Sequence, residues 1–278
     1  MYAFLRFPGF RNKALTLSYD DGCIYDKAMV EILDRYGIKC TFNLNSGLMG
    51  VSRRMSAEDC VELFSSSPHE VAVHGSRHLC FSDIDDSLAI KDVVNDREML
   101  ESMFGRIVNG MAYAYGDYDD SKIEAIKRCG IVYSRTTHET EKFDIPTDFM
   151  RWPSTCYHKN PRLFQILDNF LDDTPPRHMW CDEPRLFYLF GHSYEFNDDN
   201  NWDLLEKFCE RVGGRDDVFY ATNMEIYEYV KAYDSLIFSY GGRIIKNPSS
   251  IDVYTNLYGK KIMIKAGSTV SLPDGYGF

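Results

Sequence analysis

The chain has 278 residues, 44% of them hydrophobic, and a formal net charge of −11 from 31 Lys and Arg against 42 Asp and Glu. That length and balance exclude a disordered chain and leave ample material for a core. So acidic a surface repels phosphate backbones and anionic lipid, so neither nucleic acid nor a membrane is an expected partner. The first residues lack the basic-then-apolar pattern of a secretory signal. The eight cysteines are scattered without a C-x-x-C pair and read as reduced structural thiols. A cytoplasmic setting is therefore expected.

Taken in chain order, the pattern predicts a strand over 14–19, a helix over 26–36 closed by Gly37, and a strand over 40–44. Ser56 caps a helix over 57–64, a strand follows over 70–73, and a long helix runs over 87–104. Strands over 111–114 and 131–133 flank a helix over 121–129. A long connection over 134–160 carries little periodicity, and connections of that length are often functional. Then come a helix opened by Pro161 and running to Leu171, a strand over 185–190, a helix over 202–211, a strand over 218–220 and a helix over 224–232. This β-α alternation implies an α/β fold, either a parallel sheet or a (β/α) barrel, with chemistry at the carboxyl ends of the strands. After Tyr233 the texture turns to short β-rich runs over 236–240, 251–254 and 261–265. The expected division is thus a barrel over 1–233 and a small β appendage over 234–278.

Three strand ends carry the candidate chemistry. Asp20 and Asp21 close the first predicted strand, and adjacent residues there point in different directions. His74 and His78 form an H-x-x-x-H pair directly after the strand over 70–73. One carboxylate and two imidazoles make a three-ligand set suited to a catalytic divalent metal with open positions. Activating water also needs a base, for which Asp20 is the candidate. His192 closes a further strand and is a candidate general acid toward a leaving group.

Ser-Tyr-Asp20-Asp21-Gly, His74-Gly-Ser-Arg-His78, Tyr113-Ala-Tyr115-Gly and Leu-Phe-Gly-His192 follow one another in an order that resembles the polysaccharide deacetylases, carbohydrate esterase family 4. The resemblance runs over 14–232. It implies a distorted, incomplete (β/α) barrel and a zinc-type metal, with cobalt or nickel as alternatives, on Asp21, His74 and His78. It implies Asp20 as base, His192 as acid and the backbone N–H of Tyr115 as an oxyanion donor. The implied reaction removes an N- or O-acetyl group from a saccharide, which would be the partner molecule.

Two departures stand out. The family's usual Arg three residues before the Tyr, which braces the base, is Ala112 here, and the usual Pro is Ala114. Arg151 in the long connection is the candidate replacement and a candidate substrate contact, while Asp144 and Asp148 are candidates to orient the acid histidine. Trp152, Thr155 and His158 are candidates to line a sugar pocket, and Tyr194 and Glu195 to position His192 or the substrate. Two other readings stay open: a hydrolase of another C–N amide, such as a small cyclic one, and a barrel that binds carbohydrate without catalysis.

Overall fold

The computed structural model describes residues 3–175, 177–178 and 181–273. Its first strand, β1 (Ala3–Arg6), stands outside the main sheet. The main sheet begins with β2 (Lys13–Asp20), buried along its whole length as the central strand of a parallel sheet should be. Next come α1 (Asp26–Arg35), β3 (Thr41–Leu44), α2 (Ala57–Phe64), β4 (Glu70–Val73) and α3 (Asp86–Phe104). They are followed by β5 (Gly110–Ala112), α4 (Asp120–Arg128), β6 (Tyr133–Glu139), β7 (Trp152–Ser154), β8 (Cys156–Tyr157) and α5 (Leu163–Leu171). The series ends with β9 (Arg185–Gly191), α6 (Ser193–Asp198), α7 (Trp202–Val212), β10 (Val218–Tyr220) and α8 (Asn223–Asp234).

Nine of these strands form one parallel sheet in the order β7-β6-β5-β4-β3-β2-β9-β8, with β10 also on β2. β7 and β8 are halves of one segment interrupted at Thr155; the first half pairs with β6 and the second with β9. The sheet therefore comes round on itself through a kinked segment, not through an unbroken ladder. β2 divides its other edge between β10 on Lys13–Leu15 and β3 on Ser18–Asp20. The result is the distorted, incomplete barrel of an α/β protein. Because its strands are parallel, Asp20, His74 and His192 all leave from the same end.

Local chemistry sets the helix ends. Ser56 accepts from the Asp59 N–H at 3.1 Å to start α2, and Asp85 and Asp119 cap α3 and α4 in the same way. Gly105, at φ 61°, ends α3 in the left-handed conformation that glycine adopts without penalty. Among the described residues no helix is long and apolar enough to cross a membrane.

The connection over 134–160 is more ordered than its pattern predicts. It holds the rest of β6 and all of β7 and β8. Ser134, Arg135 and Thr136 of β6 are buried although polar, so alternation of apolar and polar residues could not reveal the strand.

Beyond α8, five short strands, β11 (Ile237–Phe238), β12 (Ile244–Lys246), β13 (Val253–Leu257), β14 (Lys260–Ile264) and β15 (Thr269–Ser271), form two small sheets. One has the order β11-β12-β15; the other, β1-β13-β14, draws a strand from the amino-terminal side of the boundary expected at 233/234. Ile245, Val253, Leu257 and Ile264 form a core of their own there. Tyr229 and Tyr233 of α8 donate their hydroxyls to the Arg6 and Ala3 carbonyls, which ties the appendage to the barrel.

Candidate active site

The carboxyl ends of β2 and β4 bring Asp21, His74 and His78 together, with one ligand atom from each lying within 4.8 Å of the others. His74 is buried, and its Nδ1 lies 2.8 Å from the Ala112 carbonyl. A carbonyl only accepts, so Nδ1 carries the proton and the Nε2 lone pair is left for the cluster. His78 Nε2 lies 3.6 Å from Asp21 Oδ1. Burial, reinforced by His74, pushes the His78 imidazole down to about 4, which keeps it in the neutral form a metal requires. A carboxylate and two imidazoles with lone pairs available fit a zinc-type divalent cation.

Backbone strain is present at this cluster. Asp21 (φ 81°), His78 (φ 55°) and Tyr115 (φ 58°) all occupy the left-handed region without being glycine. Each such residue costs on the order of 1–3 kcal/mol, a cost that persists where the surroundings impose it. Tyr115 is 67% exposed, and its ring meets the His78 ring edge-on, with centroids 4.5 Å apart.

Asp20 lies behind the cluster and is nearly inaccessible. Its Oδ1 accepts from Asn43 Nδ2 at 2.7 Å, and its Oδ2 from Arg135 Nη2 at 2.5 Å. The same Oδ2 is 3.9 Å from His74 Nε2 and 4.0 Å from His192 Nε2. Burial pushes this carboxyl up, but Arg135, His74 and His192 outweigh it and hold the group below the usual aspartate range.

Arg135 corrects the expectation placed on Arg151. In the β5–β6 ladder Ala112 and Arg135 are directly paired residues. The guanidinium missing at Ala112 thus arrives from the neighbouring strand, where it also lies over the Phe190 ring at 4.6 Å. Arg151 instead pairs with Asp148 and Asp120. Asp148 is committed to Arg151 and to the Met150 N–H, so it does not orient His192.

Glu195, a candidate with Tyr194 to position His192 or the substrate, stands beside His192 in the role also considered for Asp144 and Asp148. Its Oε2 is 3.2 Å from both the backbone N and Nδ1 of His192, and its other oxygen accepts from the Tyr157 hydroxyl. Burial pushes the Glu195 carboxyl up, yet bonds from His192 and Tyr157 bring it down to about 2. Burial likewise lowers His192, but Glu195 and Asp20 win and raise it above the usual imidazole range. With Nδ1 turned to Glu195, Nε2 is the nitrogen that faces Asp20.

Three residues expected along a sugar pocket are core residues instead. Trp152, 1% exposed, is enclosed by the rings of Tyr133, Phe149 and Tyr188 and offers no face for stacking. Thr155 is buried and donates to the Lys142 carbonyl. His158 is buried between Tyr19 and Glu195, and desolvation drives it down to about 4. Tyr194 does lie at the site: its ring is 5.0 Å from that of His192 and also 5.0 Å from the Arg53 guanidinium. With Asp21, Cys23, Ser52, Arg53 and Arg54 it lines a recess of about 290 Å³ beside the cluster, where Arg54 donates to Asp21 at 2.9 Å.

Residues 9–134 match the family model of the polysaccharide deacetylases. A poly-beta-1,6-N-acetyl-D-glucosamine N-deacetylase of Staphylococcus epidermidis is 28% identical over 145 residues, which are 47% of this chain and 50% of the relative. The chain thus spans about half the length of that curated relative. Among solved structures, an allantoinase superimposes with a TM-score of 0.59 at 12% identity, covering 80% of this chain and 91% of its own. A Mycobacterium smegmatis protein assigned to the polysaccharide deacetylases gives 0.58 at 16% identity, with 84% and 94% covered. At those identities the likeness is one of fold.

Proposed function

We propose that this chain, a member of the polysaccharide deacetylase family, is a metal-dependent hydrolase that removes acetyl groups from an N- or O-acetylated saccharide. The observation that carries the reading is the placement of Asp20 Oδ2 between His74, one of three convergent metal-type ligands, and His192. Asp21, His74 and His78 would hold a divalent cation, which would supply Lewis acidity toward water and the acetyl carbonyl.

The remaining work falls to the chain's own groups. Asp20, kept ionised by Arg135, accepts the proton of the attacking water. The left-handed turn at Tyr115 presents its backbone N–H as a donor to the developing oxyanion. His192, held through Nδ1 by Glu195, delivers a proton from Nε2 to the departing nitrogen or oxygen. Tyr194, in the recess beside Asp21, contacts the sugar.

The test is acetate release, with and without chelator and zinc add-back, from a panel containing acetylated glucosamine oligomers, O-acetylated sugars and small cyclic amides. Chelator-sensitive acetate release supports the reading. Turnover of the cyclic amides alone would assign the site to another C–N bond, and saccharide binding without turnover would make the barrel a binding module.

A further inference from the structure

The segment between the two imidazoles is irregular, and what shapes it lies outside the motif. His78 must return to the same point as His74 within four residues, and Gly75 (φ 79°) and His78 (φ 55°) make that reversal in the left-handed region. Such a loop has few ladder partners for its backbone, and buried N–H groups must be paired. The His74 N–H keeps one ladder bond to Leu44 and the His78 N–H turns back to the Gly75 carbonyl, and α3 supplies further acceptors. Asp96 accepts from the Ser46 N–H at 2.7 Å and, at 3.0 Å, shares the His74 N–H with the Leu44 carbonyl of β3, itself 3.0 Å away. One helical turn earlier, Asp92 accepts from the Arg77 N–H at 3.1 Å through its side chain and from the Ser76 N–H at 3.3 Å through its carbonyl. Asn45 Nδ2 donates to the His74 and Gly75 carbonyls at 2.9 and 2.8 Å.

Asp92 and Asp96 are buried on the core side of α3, beside Ala89, Val93 and Leu100. Carboxylates on a core-facing helical stripe cost stability unless something requires them there. The fit against the loop is close: a Cβ on Gly75 would come within 2.7 Å of Asp92 Oδ2.

We infer that Asp92 and Asp96 are positioning residues, acting as a paired acceptor template on α3 that fixes the backbone of 74–77 and so sets His74 and His78 for metal binding. The inference rests on the proposed metal site, and its test separates the two. Cobalt(II) is titrated into the full chain, reading the dissociation constant and the visible absorption band, with melting of the metal-free protein alongside. Asp96→Asn and Asp92→Asn should each weaken cobalt binding by about 10- to 100-fold, the usual range for partners behind a ligand, and change the band. Glu98→Gln, on the exposed side of α3, should change neither. Gly75→Ala presses on the same contact from the loop side and decides the matter if an Asp variant does not fold. Its affinity should fall too.

A lower melting temperature with unchanged affinity and band would reduce both acids to structural residues and overturn the inference. Failure of the wild type to bind cobalt would instead overturn the metal site, and this inference with it.

Discussion

The two ends of the barrel both bury charge, and they treat it differently. At the amino-terminal end, Lys13 lies fully buried at the start of β2 and meets Asp173, Asp217 and the Leu171 carbonyl. Nearby, Glu70 at the start of β4 accepts from Tyr133, Thr41 and the Met224 N–H at 2.7, 2.8 and 2.9 Å. Those charges are saturated with partners. At the carboxyl end, Arg135 reaches Asp20 with one nitrogen while its Nε and Nη1 have no hydrogen-bond partner among the described residues, and three residues there are held at positive φ. Polar capacity left unspent inside a rigid frame is what a reaction centre needs, and full pairing is what a structural plug needs. The comparison predicts that substitutions at the upper end cost turnover and those at the lower end cost stability.

The largest effect should come from His192→Ala. Losing the proton donor should lower turnover of an N-acetyl substrate by about 10²- to 10⁴-fold, with far less loss on an aryl acetate whose leaving group needs no proton. Steady-state rates on both substrates check this, and equal losses would remove His192 from the acid role. Next is Arg135→Ala. It leaves the Asp20 carboxylate buried without its cation, a change that costs roughly 3–5 kcal/mol when a buried pair is broken. Because Ala112 and Arg135 face each other in the β5–β6 ladder, adding Ala112→Arg should recover part of both stability and activity. Chemical denaturation and kinetics of the single and double variants measure the recovery; none would mean the guanidinium works only from β6.

Glu70→Gln probes the lower end. Trading one acceptor oxygen for an amide disrupts a three-donor site and should cost about 1–3 kcal/mol, with turnover unchanged. A parallel fall in turnover would show the two ends to be coupled.

The effect confined to high pH, and smallest at low pH, is expected at Asp26, fully buried and hydrogen-bonded by Ser193 at 2.5 Å. Desolvation raises its carboxyl from 3.8 to about 8. A carboxyl raised on folding contributes stability that is complete below pH 4 and is lost as pH rises through 8. Asp26→Asn should therefore match the wild type at low pH and exceed it at pH 8–9. The gain should appear as a melting temperature that rises above the wild type's only as the pH climbs from 4 toward 8. A constant offset at every pH would contradict the titration.

Much of this site is legible as short motifs, because Asp20, Asp21, His74, His78 and His192 each sit at or next to a strand end that its own flanking residues announce. What supports them is dispersed. Arg135 stands in a polar stretch without alternation, and its relation to Ala112 exists only once β5 and β6 pair. Glu195 is near His192 in sequence, but only the capping geometry of α6 turns its carboxylate onto Nδ1. Trp152 misleads for the converse reason. An aromatic in a long connection suggests a surface platform, yet β7 carries it into the core. The β-α alternation reveals the barrel, whereas β1 is too short and too distant from β13 for sequence to join them.

The division of labour between the adjacent acids is the central claim, and metal quantification paired with acetate release tests it most directly. Asp20→Asn should hold as much zinc as the wild type while losing turnover, because its amide cannot accept the proton of water. Asp21→Asn should lose zinc along with activity, because a neutral oxygen replaces an anionic ligand. Equal zinc loss in both variants, or full zinc and full turnover in Asp21→Asn, would contradict the account.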